Sequence, residues 1–343
     1  MTLSLSDYKP LVQDRLLSLL WRQWTALGVT GHAAPWQQTL IDPEALLLVS
    51  CTLARHDARL FDAILDWLTV NGRYLNVQRV RRLSADLPFA GGTVFAAMAA
   101  KTSTSASAIK WARSARPTKK ALREQSLFYL PNGQPLPVLH TPDSDFAAYG
   151  WVREAYEDRG TAQAFPTQSN ATLILKLRAL IGVSARCELL AYLLLNPYGS
   201  PRAMARACGY YSATVIKALV EMADSGFLCA RTEGRQRHYS LANETWKTLL
   251  LGDARFPWIA WPSLFSALEQ LWLFLETPER DRPSPLAQAS ALRRLLNASV
   301  NDNLARSGLS LPVFGSDTHT GETLLPHFID RLDKWLDAMD TLG

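Results

Sequence analysis

The stretch that decides the fold covers residues 186–241 and reads RCELLAYLLLNPYGSPRAMARACGYYSATVIKALVEMADSGFLCARTEGRQRHYSL. Its apolar run over residues 187–195 predicts a first helix. Ser200 as N-cap and Pro201 at the first helical position predict the start of a second, short helix. That helix is expected to end at Gly209, because glycine adopts without strain the positive φ that a tight turn between helices needs.

The same stretch continues with a third helix and a hairpin. The third helix is predicted over residues 212–224, and its inward face consists of Val215, Leu219 and Met222. Two strand-like runs follow, at residues 227–231 and 237–241, joined by the five-residue loop 232–236. The order helix, helix, turn, helix, hairpin predicts a winged helix-turn-helix with a two-stranded wing.

The spacing of residue types within this stretch supports that prediction. Counted from Ala205, the offsets are +3 for Cys208, +4 for Gly209, +9 for Thr214, +10 for Val215, +12 for Lys217, +14 for Leu219 and +21 for Gly226. Over residues 171–250 the chain thereby resembles the winged-helix families of bacterial transcription regulators, of the ArsR, MarR and PadR kind. The resemblance implies that Ala205 lets two helices approach and that Thr214-Val215 opens the buried side of a recognition helix. The sequence departs from the families at Cys208, where leucine is usual, and at Tyr210-Tyr211 in the turn.

A winged helix-turn-helix implies contact with DNA, because a helix fits the major groove, where base edges can be distinguished. The residues predicted on the outward face of the third helix are Tyr211, Ser212, Thr214 and Lys217. The residues predicted at the hairpin tip, able to donate to phosphate or to the minor groove, are Arg235, Gln236, Arg237 and His238. The alternative is a winged helix that serves only protein contacts, because a fold does not determine a function.

Positive charge is concentrated in two parts of the chain, and one of them is residues 184–241, which contain seven lysines and arginines against four acids. The formal net charge is +5, and residues 101–123 contain seven lysines and arginines and no acid. The Ser/Thr-rich, basic composition of residues 101–127 predicts a linker or a mobile arm. As a tether to DNA it would offer phosphate contacts through Lys110, Arg113, Arg116, Lys119, Lys120 and Arg123. A solvated connector is an equally open interpretation, and Trp111 within the tract favours a docked contact.

The remaining patterns predict a mainly α-helical chain of five parts. These are an N-terminal helical module (1–100), the basic linker (101–127), an irregular connector laid over the surface (128–170), the winged helix-turn-helix (171–250) and a C-terminal helical module (251–343). In the N-terminal module, Asp42 is expected to cap a central apolar helix that begins at Pro43.

Two smaller groups of residues also invite interpretation. Three arginines, Arg79, Arg81 and Arg82, fall within four positions of a predicted helix, which favours a solvated face over a phosphate site.

Four cysteines stand at positions 51, 187, 208 and 229 without any C-x-x-C pair, so neither a zinc site nor a disulfide framework is predicted. We expect Cys187, Cys208 and Cys229 to be small core residues of the winged helix.

No motif for catalysis is present. The sequence lacks a phosphate-binding loop, H-E-x-x-H, G-x-S-x-G and G-x-G-x-x-G, so no enzyme, no metal site and no cofactor is predicted. Apolar runs are too short for a membrane span, and Asp7 and Lys9 interrupt the start of the chain before a signal sequence could form. A cytoplasmic location is therefore expected.

Together these patterns predict a sequence-specific regulator of transcription that binds double-stranded DNA, acts as a repressor by occlusion, and pairs as a homodimer to double its site. The alternative is an antitoxin or defence-system component, which would hold a protein partner through its helical flanks and regulate its own expression through the winged helix. An adjacent toxin-like gene would favour this alternative.

Overall fold

The structure is a computed structural model that describes residues 5–31, 33–37, 39–103, 109–115, 124–130, 133–160, 162–277, 284–311, 314 and 323–342. It is mainly helical. The helices are α1 (Leu5–Ala26), α2 (Pro43–Leu53), α3 (Ala58–Asn71), α4 (Val77–Asp86), α5 (Gly92–Thr102), α6 (Ser144–Ala147), α7 (Leu173–Ile181), α8 (Ala185–Leu195), α9 (Pro201–Cys208), α10 (Ser212–Asp224), α11 (Thr245–Leu251), α12 (Trp261–Glu276), α13 (Pro285–Leu295), α14 (Asn301–Arg306) and α15 (Leu324–Thr341). The strands are β1 (Gln125–Ser126), β2 (Trp151–Val152), β3 (Leu228–Glu233) and β4 (Gln236–Leu241).

Most of the helices share one hydrophobic core, here called the body, which includes α1–α5 and α12–α15. All of α2 is buried, and its start has the predicted cap: the Asp42 carboxylate accepts the N–H of Ala45 at 3.0 Å, with Pro43 at the first position. Helices α1 and α15 meet in this core, because the Tyr8 hydroxyl on α1 donates to Asp333 on α15 at 2.6 Å. Helices from both flanks therefore build a single core.

The segment between α5 and α7 contributes to the body as well. Its aromatic side chains Phe128, Phe146 and Tyr149 are buried in the core, so the prediction that extended chain lies over the surface is wrong here. Phe128 and Phe146 pack edge-to-face against Phe61, which shows what holds the segment down. In the basic tract, Trp111 is 1% exposed and packs against Phe95 at 5.6 Å, so a docked contact is confirmed at that position.

A second hydrophobic core contains α7–α11 and the β3–β4 hairpin. Here three predicted helices are confirmed: α8, α9 and α10, the last with the predicted bounds. Ser200 caps α9 by accepting the N–H of Ala203 at 3.3 Å, and Gly209 ends it with a φ of 70°. The local signals in the sequence were sufficient at these positions because caps and turns depend on residues within one helical turn.

The hairpin differs from its prediction in the length of its turn. β3 and β4 are antiparallel and pair from Leu228–Leu241 to Glu233–Gln236, so the loop has two residues instead of five. Gly234 takes a φ of 60° at the first of the two central positions, as a tight type II′ turn requires. β4 is also paired on its other side, where Gly199 and Tyr239 exchange two backbone hydrogen bonds of 2.9 Å. This pairing joins the hairpin to the loop between α8 and α9.

The cysteines are all unpaired thiols, and one of them is not in a core. Cys51, Cys187 and Cys208 are buried, but Cys229 is exposed on β3. The prediction of a core position is therefore wrong for Cys229, because the alternation of strand residues points its side chain to the open face of the two-stranded hairpin. None of the helices within the described ranges is both long and apolar enough to span a bilayer.

A buried carboxyl group on α12 makes the stability of the body depend on pH. Burial raises the pKa of Glu269 from 4.5 to about 7, although the Thr52 hydroxyl and the Ala90 N–H both donate to its carboxylate. The folded protein then binds more protons than the unfolded chain between pH 4.5 and about 7, so the free energy of unfolding falls as the pH rises through that window. Glu269→Gln is expected to remove this slope, as measured by urea denaturation at several pH values. The control is Glu244→Gln, which replaces an exposed carboxylate. If the free energy of unfolding depends on pH equally in the two variants, Glu269 is not the group responsible.

Candidate nucleic-acid interface

The outward face of α10 carries the polar residues that the sequence predicts there. Ser212, Thr214 and Lys217 are exposed, whereas the inward face made of Val215, Leu219 and Met222 is buried. One exposed residue was missed: Ile216, which is 48% exposed between Val215 and Lys217. Its helical phase indicates the outward side, but its apolar character argued for the core. The face can therefore offer both hydrogen bonds and an apolar contact.

The four predicted hairpin residues are not all at the tip. Only Arg235 lies in the two-residue turn, while Gln236, Arg237 and His238 belong to β4. The Arg237 side chain lies over the ring of Tyr239 at 5.3 Å, and the half-buried His238 packs edge-to-face on Tyr198 at 5.4 Å. The shorter turn is the reason, because the strand pairing continues as far as Gln236 on the β4 side. The grouping of all four at the tip is thus wrong, and Arg235 is the one that lies in the turn itself.

Tyr211, at the start of α10, is tied to the body. It is 57% exposed, yet the Arg82 guanidinium stacks on its ring at 3.7 Å from the ring centre. Arg82 also pairs with Asp86 one turn further along α4. The N-terminus of α10 therefore has a fixed neighbour in α4, and Tyr211 stands where the body and the candidate interface meet.

A second residue of α4 holds the turn from inside. Arg79 is 1% exposed, and it reaches both Asp42 oxygens at 2.6 and 2.5 Å. Its Nε donates to the carbonyl of Cys208 at 2.8 Å, at the end of α9. The prediction of a solvated face is therefore wrong for Arg79, although it holds for the exposed Arg81. The sequence does not predict the burial of Arg79, because its acidic partners lie more than thirty positions away, at the start of α2.

Arg178 on α7 completes this buried ionic cluster, which we define as Asp42, Glu44, Arg79, Arg178 and Glu188. Its guanidinium forms a two-point contact with Glu44, at 2.6 and 2.7 Å, and its Nε donates to Glu188 at 3.1 Å. The cluster extends into the turn through one hydroxyl, since that of Tyr210 donates to Glu188 at 2.9 Å. Three members come from the body and two from helices of the second core, so the cluster fixes one core against the other.

The charges of this cluster are mutually stabilised. Burial alone would raise the pKa of Glu44, but Arg178 and Arg79 hold it below its ordinary value. Burial would also lower the pKa of both arginines, and their carboxylate neighbours raise it instead. Glu44, Arg79 and Arg178 are therefore charged at neutral pH. Removal of one member of such a cluster leaves an uncompensated buried charge, which is strongly destabilising.

The basic tract is divided by the structure. Lys110 lies against the body, where its ammonium donates to the carbonyls of Arg73 and Leu75 at 2.5 Å each, and burial lowers its pKa to about 8. The backbone of Arg113 ends a short 3-10 helix. The other predicted phosphate contacts lie outside the described residues; they are Arg116, Lys119, Lys120 and Arg123.

Two basic residues near the interface were not predicted. Arg202 and Arg206 are exposed on α9, whereas Met204 and Cys208 of the same helix are buried. Residues four positions apart share one side of a helix, so the two arginines point the same way. That helical phase is a signal that the sequence contains, and it could have found both residues.

The described part of the chain has no group of three His, Cys, Asp or Glu side chains that could hold a metal ion. No family model matches this chain, and no curated protein or solved structure matches it.

Proposed function

We propose that this protein is a sequence-specific DNA-binding regulator of transcription, and that residues 171–250 form a winged helix-turn-helix. In this proposal α9 and α10 are the helix-turn-helix, β3 and β4 are the wing, and α10 enters the major groove. Repression by occlusion is the simplest mechanism, since it requires only that the site be occupied.

The observation that carries the proposal is the exposed polar face of α10 beside a basic hairpin. Ser212, Thr214 and Lys217 are exposed on a helix whose other side is buried, and Arg235 stands at the tip of the neighbouring hairpin. Polar groups on one helix face can reach base edges, and a projecting arginine can reach sugar-phosphate. The buried ionic cluster and the Arg82–Tyr211 stack support it further, since they hold α10 at one orientation.

A homodimer and a cytoplasmic location are parts of the same proposal. One recognition helix reads few base pairs, and two-fold pairing of two chains would double the site. Four cysteines without a disulfide suit a reducing compartment.

The wing is expected to contact phosphates rather than bases. Replacing Arg235 and Arg237 together by Ala is expected to weaken binding to specific and random duplexes alike. The slope of log K against log salt concentration is expected to become shallower by about two, because the wing then no longer neutralises two phosphates. The measurement is fluorescence anisotropy with the promoter duplex of its own gene and a scrambled duplex, at several salt concentrations. The matched control removes two exposed arginines outside this face, Arg255 and Arg294.

A change in α10 is expected to act differently. If Thr214 reads a base, Thr214→Ala costs about 1–3 kcal/mol on the preferred duplex and leaves the scrambled duplex unaffected. If the variant that lacks Arg235 and Arg237 binds both duplexes as tightly as the control variant does, these two arginines do not contact DNA. Absence of binding by the unmodified protein at low salt, where phosphate attraction is strongest, would refute the DNA-binding proposal as a whole.

The second candidate function is a protein-binding antitoxin or defence-system component. The observation that favours it is an apolar surface at the end of α7, where Leu180, Ile181 and Val183 are 72%, 48% and 37% exposed. Such a patch suits a protein partner better than DNA. The two functions are compatible, because the patch lies at a helix other than α10.

A further inference from the structure

An open groove of about 460 Å³ lies where the body meets α9 and α10. Its wall contains four arginines from three separate helices: Arg82 of α4, Arg202 and Arg206 of α9, and Arg306 of α14. We call it the arginine groove. Tyr211 and Ser212 line its edge, so it opens directly beside the start of α10.

The wall of the arginine groove carries a net positive charge. Among the described residues of its wall, Asp86 is the one carboxylate, and it is paired with Arg82. Arg306 pairs with Asp302 on the surface of α14, whereas Arg202 and Arg206 have no ion pair with any carboxylate in the described part of the chain. Tyr211 supplies no side-chain cap to α10, which leaves the first N–H groups of that helix without a side-chain acceptor. The positive charges of Arg202 and Arg206 and the uncapped start of α10 favour an anion in the groove.

We propose that the arginine groove binds a phosphate of the DNA backbone, beside the major groove that α10 enters. This rests on the proposed function. Ser212 belongs both to the wall of the arginine groove and to the exposed face of α10. A duplex bound to that face therefore lies next to the arginine groove. Arginine is suited to the contact because its guanidinium forms two parallel hydrogen bonds to phosphate oxygens. The consequence is specific: Arg306, which lies 65 positions beyond the hairpin in the C-terminal helices, is a DNA-contacting residue.

The test compares Arg306→Ala with Arg294→Ala in the full chain. Both side chains are exposed and lie in the C-terminal helices, and both substitutions remove one positive charge, but Arg294 is not in the groove wall. Arg306→Ala is expected to weaken specific and scrambled duplexes by the same factor and to make the salt dependence of log K shallower by about 0.9. Arg294→Ala is expected to leave that slope unchanged. Thermal melting of both variants checks that they fold.

A second arm identifies the source of the phosphate. Inorganic pyrophosphate is titrated by calorimetry into the unmodified protein and the Arg306→Ala variant. The proposal is supported if the slope of log K for duplex binding against log salt concentration is shallower in Arg306→Ala than in the unmodified protein. Pyrophosphate binding that requires Arg306, together with an unchanged duplex slope, overturns it in favour of a small phosphate compound. Equal slopes for the two arginine variants, while the wing variant still loses affinity, overturn it and leave the proposed function intact. If the unmodified protein binds no duplex at low salt, the proposed function itself fails.

Discussion

Arg178→Met is expected to lower the free energy of unfolding by about 3–5 kcal/mol, because removal of one partner leaves buried charges without compensation. Arg178 is the link between two carboxylates that are themselves almost inaccessible, Glu44 at 2.6 and 2.7 Å and Glu188 at 3.1 Å. The substitution keeps an apolar chain of similar length, so the loss reports mainly on the charges. Urea denaturation at neutral pH measures it.

The control for this prediction is Arg186→Met on the adjacent helix α8. Arg186 pairs with Glu221, but both side chains are well exposed, at 46% and 40%. A surface pair of this kind contributes about 0–1 kcal/mol, so this variant is expected to remain close to the unmodified protein. The loss in Arg178→Met is also expected to shrink when Glu44→Gln and Glu188→Gln are added, since fewer buried charges then lack a partner. A loss no larger than that of Arg186→Met would contradict a stabilising role for the buried ionic cluster.

Gly209→Ala is expected to destabilise the turn between α9 and α10 by two separate effects. Gly209 has a φ of +70°, and a left-handed conformation costs a residue with a Cβ about 1–2 kcal/mol. The added Cβ would also lie 2.5 Å from Leu83 Cδ2 of α4, and relief of such overpacking costs about 1–3 kcal/mol more. Because α4 carries both Arg79 and Arg82, a displaced α4 is also expected to weaken the proposed binding to DNA. Urea denaturation and fluorescence anisotropy measure the two results.

Gly226→Ala separates the two effects. Gly226 has a similar φ of +74°, but nothing lies within 4 Å of its added Cβ, so only the conformational cost is expected. Leu83→Ala, combined with Gly209→Ala, is expected to cost less than the sum of the two single changes, because the clash disappears with the leucine. Equal destabilisation in the two glycine variants, or strict additivity in the double variant, would show that α4 does not press on the turn.

Local structure in residues 186–241 could be predicted because its causes are local. The cap at Ser200, the turn at Gly209 and the alternation of buried and exposed residues along α10 all depend on neighbours within about four positions. The exposed polar face of α10 follows from the same periodicity. The turn of the hairpin was predicted less well because strand pairing, which decides where a turn begins, involves residues across the hairpin.

The environment of single charges could not be predicted in this way. Arg79, Arg81 and Arg82 look alike in the sequence, yet one is buried with two carboxylates, one is exposed and one stacks on Tyr211. The three arginines differ in the side chains that they contact in the folded protein. A charge can be buried only where partners from other parts of the chain pair with it.

The sequence by itself determined helices α2 and α8–α10, the caps at Asp42 and Ser200, the position of the turn before α10 and which face of α10 is exposed. Only the tertiary structure decided that α1 and α15 share one core, that Arg178 meets Glu44 across 134 positions, and that four arginines between positions 82 and 306 line one groove. The physical reason is the range of the interactions. Helix caps and hydrophobic periodicity act within a few residues, whereas ion pairs and cores join residues whose separation along the chain carries no signal of their contact.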